Sequence, residues 1–229
     1  MERLLVTGAS RGIGRAIAGR LAGAGRELIL HGRDPDALAA TGRMVEERGG
    51  RVSVVVGDLA RAGDVMALAD AIRAPLHVVV NNAGSAVVKP LEAITLEEWQ
   101  ASFAVTVTAP FLIAQRLLPL MPSGASIVNV LSVAARRAFP GWSAYCASKF
   151  ALEGFTLSLR EELRSRGVRV INVYPAATRT ALWDGIAGEW PRERMLPPEE
   201  VAEAVAYALA RPAGVQVEAI EVGDLSGAI

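Results

Sequence analysis

The chain has 229 residues, 52% of them hydrophobic, and its 24 cationic and 24 acidic side chains balance. Without a basic excess it lacks the electrostatic source of general nucleic-acid binding, and no such partner is expected. A single cysteine, Cys146, excludes an internal disulfide, and with only His31 and His77 to add to it no metal site is expected.

The N-terminal Met1-Glu2-Arg3 leads straight into a short apolar run, too brief for a secretion signal. No apolar stretch is read as approaching membrane-spanning length, so a cytoplasmic protein without a membrane partner is expected. From Leu4–Val6 onward, short runs rich in Val, Ile and Leu predict strands: Glu27–Leu30, Val52–Val56, Leu76–Val80, Ser126–Leu131, Val168–Val173 and Val215–Val222. Between them lie segments of helical apolar spacing, among them Ile13–Ala22, Val65–Ile72 and Val201–Leu209.

Local punctuation supports the divisions. Asp34-Pro35 is an N-cap and first-turn pair, and Gly49-Gly50 can end that helix. Thr95-x-x-Glu98 is a capping box for a long helix near Glu97–Leu118, and Pro197-Pro198 precedes the last helix. Continuous rather than alternating apolar runs predict strands covered on both faces. The expectation is an α/β doubly wound parallel sheet of about seven strands with helices on both faces, in one domain over 1–229.

Thr7-Gly8-Ala9-Ser10-Arg11-Gly12-Ile13-Gly14 follows the first strand and opens a helix. Glycines allow backbone to approach a pyrophosphate, and the helix N-terminus offers N–H groups and a positive dipole end. The Gly-x-Gly-x-x-Gly spacing fails, because Ile17 stands where the last glycine would be. Thr-Gly-x-x-x-Gly-x-Gly is present instead. Farther on come Asp58 after the third strand, Asn81-Asn82-Ala83-Gly84 after the fourth and Ser132 after the fifth. Tyr145-x-x-x-Lys149 begins 13 residues after Ser132, and Pro175 to Thr180 follow the sixth strand.

In this order, from Leu4 to about Thr180, the motifs resemble the short-chain dehydrogenase/reductase family. The resemblance implies a Rossmann-like fold and a hydride transfer between a nicotinamide cofactor and a carbonyl or alcohol. It assigns Tyr145 as general acid/base, Lys149 as its electrostatic partner and ribose anchor, and Ser132 as the donor that orients the carbonyl. A neighbouring ammonium and the positive nicotinamide of the oxidised cofactor are both expected to favour the phenolate and lower the Tyr145 pKa. Taken alone, Tyr and Lys four apart on a helix are commonly structural.

The same resemblance places Gly8, Ser10, Arg11, Gly12, Ile13 and Gly14 along the cofactor, Asp58 at the adenine amino group with Leu59 beside it, and Asn81, Ala83 and Gly84 along the adenine ribose. Pro175 and Thr180 fall near the nicotinamide, although Pro175-Ala176 replaces the more usual Pro-Gly. Gly32 stands where an NAD-type member carries Asp, and Arg33 follows. Arg33 and Arg11 together suit the 2′-phosphate of NADP(H), or else they are solvated surface arginines. Asp34 is read as a helix cap. In the family an Asn commonly follows the helix-four Trp by seven residues; here Trp99 leads to Thr106, in a β-branched stretch that permits a local irregularity.

Phe139, Trp142, Leu182 and Trp183 suggest an apolar pocket for a small or medium ketone or aldehyde, or else ordinary core. Cys146 is read as a small core residue. The alternative function is a cofactor-binding scaffold or redox sensor, favoured only by Thr106. By resemblance, the long fourth and Tyr145–Arg166 helices pair between subunits, giving a homodimer or homotetramer.

Overall fold

The computed structural model describes residues 1–212 and 214–225; residue 213 and residues 226–229 of the expected domain lie outside the described residues. Seven strands form one parallel sheet: β1 (Glu2–Thr7), β2 (Arg26–Gly32), β3 (Arg51–Val56), β4 (Val78–Asn81), β5 (Ser126–Val130), β6 (Arg169–Pro175) and β7 (Ala219–Val222). Their spatial order is β3-β2-β1-β4-β5-β6-β7, so the chain reverses direction across the sheet between β1 and β4. That switch point opens a crevice at the C-terminal ends of the strands, and the candidate site lies there.

Successive strand residues point to opposite faces, and each face has its own core. Leu4, Val6, Leu28, Leu30, Val80 and Val128 meet α1 (Gly12–Leu21), α2 (Pro35–Glu47) and α7 (Pro198–Leu209) through Ile17, Leu38, Val45 and Val205. Leu5, Ile29, Val79, Ile127 and Val170 meet α3 (Ala62–Ala71), α5 (Ala109–Leu117) and α6 (Ser143–Arg164) through Leu68, Ile113 and Leu159. The anticipated caps form: Asp34 Oδ1 accepts from Ala37 N–H at 3.0 Å, and Thr95 and Glu98 cap each other at the start of α4 (Leu96–Phe103).

Three expectations are corrected, and the irregularity that the β-branched stretch permitted is present. The edge strand β3 is not covered on both faces, since Val54 and Val56 are exposed. The last strand is shorter than Val215–Val222, because Arg160 Nε and Gln216 Nε2 both donate to Val170 O and occupy the β6 carbonyl that a longer ladder would use. The fourth helix is interrupted by a π turn over Ala104–Thr108, where Ala109 N–H reaches back five residues to Ala104 O. Finally, the helical stretch Leu96–Leu120 is by length and composition apolar enough to cross a membrane, with a mean hydropathy of 1.5. It packs one side on α3 and α6 and leaves the other uncovered, with only 33% of its most apolar window buried.

Candidate active site

The glycine loop is built for close backbone approach. Gly8 and Gly12 take positive φ of 65° and 55°, where a side chain is strained. A Cβ on Gly14 would lie 2.2 Å from Gly8 O, so that glycine lets α1 sit against the loop. The loop is stitched to the end of β4: Asn82 Nδ2 donates to Thr7 O at 2.9 Å and Gly8 O at 3.2 Å, while Thr7 Oγ1 accepts from the N–H groups of Asn82 and Ala83. The first turn of α1 carries no side-chain cap, which leaves its N–H groups for an anion.

A cavity of about 240 Å³ runs from this loop across the switch point. Gly8, Ser10, Arg11, Gly12, Ile13, Arg33, Asp58, Leu59, Ala83, Gly84, Tyr145, Lys149 and Thr180 all line it. Five other sequence candidates stand elsewhere. Gly14 packs behind the loop, and Ser132 and Pro175 line an adjoining pocket. Asn81, expected along the ribose, turns its side chain into the sheet and donates to Asn129 Oδ1 at 2.9 Å. Asn129 in turn donates to Asn172 Oδ1 at 3.1 Å, a ladder of three amides in register across β4, β5 and β6.

Thr106 is buried at the centre of the π turn and does not line either cavity; its Oγ1 has no hydrogen-bond partner among the described residues. The sequence reading missed His31 and Asn82. Both line the long cavity, and the buried imidazole has no hydrogen-bond partner among the described residues. Asn82 lay within the quoted Asn-Asn-Ala-Gly motif, whereas nothing local distinguishes His31 from a core residue. Burial holds His31 down to about 4, against the opposing pull of Asp58 and Asp64.

At the end of β2, a Cβ on Gly32 would lie 2.3 Å from Ser10 Oγ, so an Asp at this position could enter only if Ser10 moved. Arg11 and Arg33 stand exposed on either side of that point. Backbone cradle, uncapped helix end and two guanidiniums together fit a dinucleotide with an additional phosphate.

The second pocket, about 150 Å³, adjoins the first and shares Ile13, Leu131, Tyr145, Thr180 and Leu182 with it. Tyr145 therefore stands at the seam. Ser132 lines the second pocket, and its Oγ accepts from Ala134 N–H at 3.1 Å. One helical turn on, Lys149 Nζ donates to Val130 O at 2.9 Å and stands 5.8 Å from the Tyr145 ring centroid. Burial raises the Tyr145 pKa, with Ser132 pulling the other way. The lowering expected from Lys149 and an oxidised nicotinamide together belongs to the cofactor-bound protein; in the protein alone, removal from water sets the direction. Burial also holds Lys149 down to about 8. Phe139, Trp142, Leu182 and Trp183 do line the second pocket, joined by Trp190. Cys146 is buried, with Sγ 3.7 Å from Arg137 O.

Known proteins match this arrangement. The profile described as short chain dehydrogenase matches residues 2–189. D-threitol dehydrogenase of Mycolicibacterium smegmatis is 36% identical over 220 residues, covering 89% of this chain and 84% of the relative. Sulfoacetaldehyde reductase 2 of Chromohalobacter salexigens is 34% identical over 234 residues, covering 96% and 92%. The crystal structure of the angucycline C-6 ketoreductase LanV with bound NADP superposes with a TM-score of 0.87 at 34% identity, covering 96% of this chain and 93% of that one. On the profile match and these identities, the chain belongs to the short-chain dehydrogenase family.

Proposed function

We propose that this oxidoreductase interconverts a small or medium, neutral, apolar ketone or aldehyde and its alcohol at the seam between the two pockets, using NADP(H). The glycine loop and the N-terminus of α1 would hold the pyrophosphate, Arg11 and Arg33 the 2′-phosphate, Asp58 and Leu59 the adenine, and Ala83, Gly84 and Lys149 the riboses. When bound, NADPH supplies the hydride. Ser132 and Tyr145 receive the carbonyl oxygen with their hydroxyls, and Tyr145 gives its proton to that oxygen as the C=O π bond is lost. Burial keeps Tyr145 protonated at neutral pH, which suits it to act as the acid. Lys149 holds positive charge beneath the phenol and favours the phenolate left behind. Overall, carbonyl, NADPH and a proton give alcohol and NADP⁺, with solvent restoring the Tyr145 proton.

The observation that carries this reading is the position of Tyr145, on the wall common to both cavities, with Ser132 on the wall of the second. Its test is NADPH consumption over a panel of carbonyl compounds, with Tyr145→Phe alongside. Turnover should fall by about a hundredfold to ten-thousandfold while NADPH still binds, the range expected when a positioned acid is removed. Near-native turnover in the variant would overturn the role.

We further propose a single cytoplasmic domain that assembles as a homodimer or homotetramer. Support for assembly comes from the uncovered side of α4, α5 and α6, where Leu96, Trp99, Phe111, Phe150 and Leu157 are exposed.

A further inference from the structure

The second pocket restricts what can enter it, and the restriction is chemical. Among the described residues that line it, none carries a carboxylate, ammonium, guanidinium or imidazole. Of its hydroxyls other than Ser132 and Tyr145, Thr178 Oγ1 donates to Ala176 O at 2.9 Å, whereas Thr180 Oγ1 accepts from Leu182 N–H at 3.4 Å and keeps its own proton to donate. The indole N–H groups of Trp183 and Trp190 are also occupied, by Thr178 O at 2.9 Å and Ile186 O at 3.4 Å. These two indoles therefore offer carbon to whatever enters. A charged or polyhydroxylated chain placed here would lose its water and find only a few hydroxyls, and no charge, to replace it.

The walls have the geometry of an aromatic site. Trp142 stands edge-on to Tyr145, Trp183 and Trp190, with centroids 5.5, 5.8 and 5.9 Å away, and Trp183 and Trp190 are 4.8 Å apart. Edge-to-face and offset contacts at such spacings are those that aromatic rings favour. The cavity of about 150 Å³ is the size at which an apolar site accepts one benzene-sized molecule. Trp142 sits one turn before Tyr145 on the same helix start, so the aromatic wall begins directly beside the acid.

We propose that the substrate is a neutral ketone or aldehyde with one six-membered ring, aromatic or alicyclic, which contains the carbonyl carbon or is bonded directly to it. The inference rests on the carbonyl reduction proposed above and goes on to name its substrate class. Aldehydes bearing a sulfonate or carboxylate, and polyhydroxylated ketones, are disfavoured by the same walls.

The test uses the full chain with saturating NADPH and follows its absorbance with five probes: acetophenone, cyclohexanone, butanone, sulfoacetaldehyde and erythrulose. Expected kcat/KM for the two ring ketones exceeds that for butanone by at least about tenfold and that for the other two by at least about a hundredfold. In Trp190→Leu, chosen because Trp190 is less buried than Trp183, the ratio of acetophenone to butanone kcat/KM should fall at least about fivefold. Faster reduction of sulfoacetaldehyde or erythrulose than of the ring ketones overturns the substrate class and leaves carbonyl reduction standing. An unchanged ratio in Trp190→Leu overturns the aromatic wall as its cause. No reduction of any probe by enzyme that binds NADPH in a separate titration overturns both the substrate class and the carbonyl reduction beneath it.

Discussion

Two side chains near the end of β2 have consequences that can be measured separately. Arg33 is exposed beside a Gly32 that cannot take a Cβ without displacing Ser10. Loss of a charge-assisted contact to the 2′-phosphate should cost roughly 1.5–3 kcal/mol, so Arg33→Ala should weaken NADPH at least about tenfold and leave NADH nearly unchanged. Fluorescence titration of both cofactors checks this; equal losses for the two would count against the phosphate contact. His31, two residues before Arg33, is buried and neutral, with its pKa held from 6.5 down to about 4. The folded value lies below the unfolded one, so the unfolded chain binds the extra proton first. The stability this group contributes is present above pH 6.5 and is lost as pH falls toward 4. By pH 5 the loss should reach about 2 kcal/mol. Urea unfolding of wild type and His31→Asn at pH 7.5 and 5 tests it, and the same acid loss in both proteins would refute it.

At the scale of the element, the π turn in the fourth helix is the feature with a functional consequence. Four β-branched residues in a row, Val105-Thr106-Val107-Thr108, crowd an α-helix, and the chain relaxes by one wider turn centred on Thr106. A buried hydroxyl without a protein partner is a place for an ordered water, which needs polar neighbours rather than one particular amide. Thr106→Asn should therefore change turnover by less than about tenfold, or about 1.4 kcal/mol of barrier. A much larger gain, read with saturating NADPH on an active carbonyl, would show that reprotonation from solvent limits this protein. It would also favour the reading as a scaffold.

For the whole molecule, the uncovered apolar side of α4 to α6 sets the expectation. Phe111 and Phe155 stack edge-on at 6.0 Å, and Phe111, Phe150 and Leu157 remain exposed around them. Patches of this kind mark interfaces. Light scattering at micromolar concentration should give a dimer or tetramer, and Leu157→Arg should shift it toward monomer with the fold intact by circular dichroism. A monomeric wild type would overturn the assembly.

Patterns of short range were enough to read the alternation of strands and helices, the parallel sheet and the Asp34 and Thr95 caps from the amino-acid sequence alone, while the residues proposed to hold the cofactor came from the resemblance to a family. The elements and caps rest on periodicity or on residue types at fixed spacing, and the Tyr145–Lys149 pair is of this kind because four residues bring two side chains to one helix face. Tertiary structure decided what depends on long-range neighbours. The run Val52–Val56 reads like a buried strand, yet its place at the sheet edge exposes half of it. Strand seven is shortened by the side chain of Arg160, from a different element. Asn81 turns away from the cavity because Asn129 stands beside it across the sheet. The titration of Tyr145 and His31 was likewise undetermined by sequence, since burial sets its direction and burial is a property of the assembled layers.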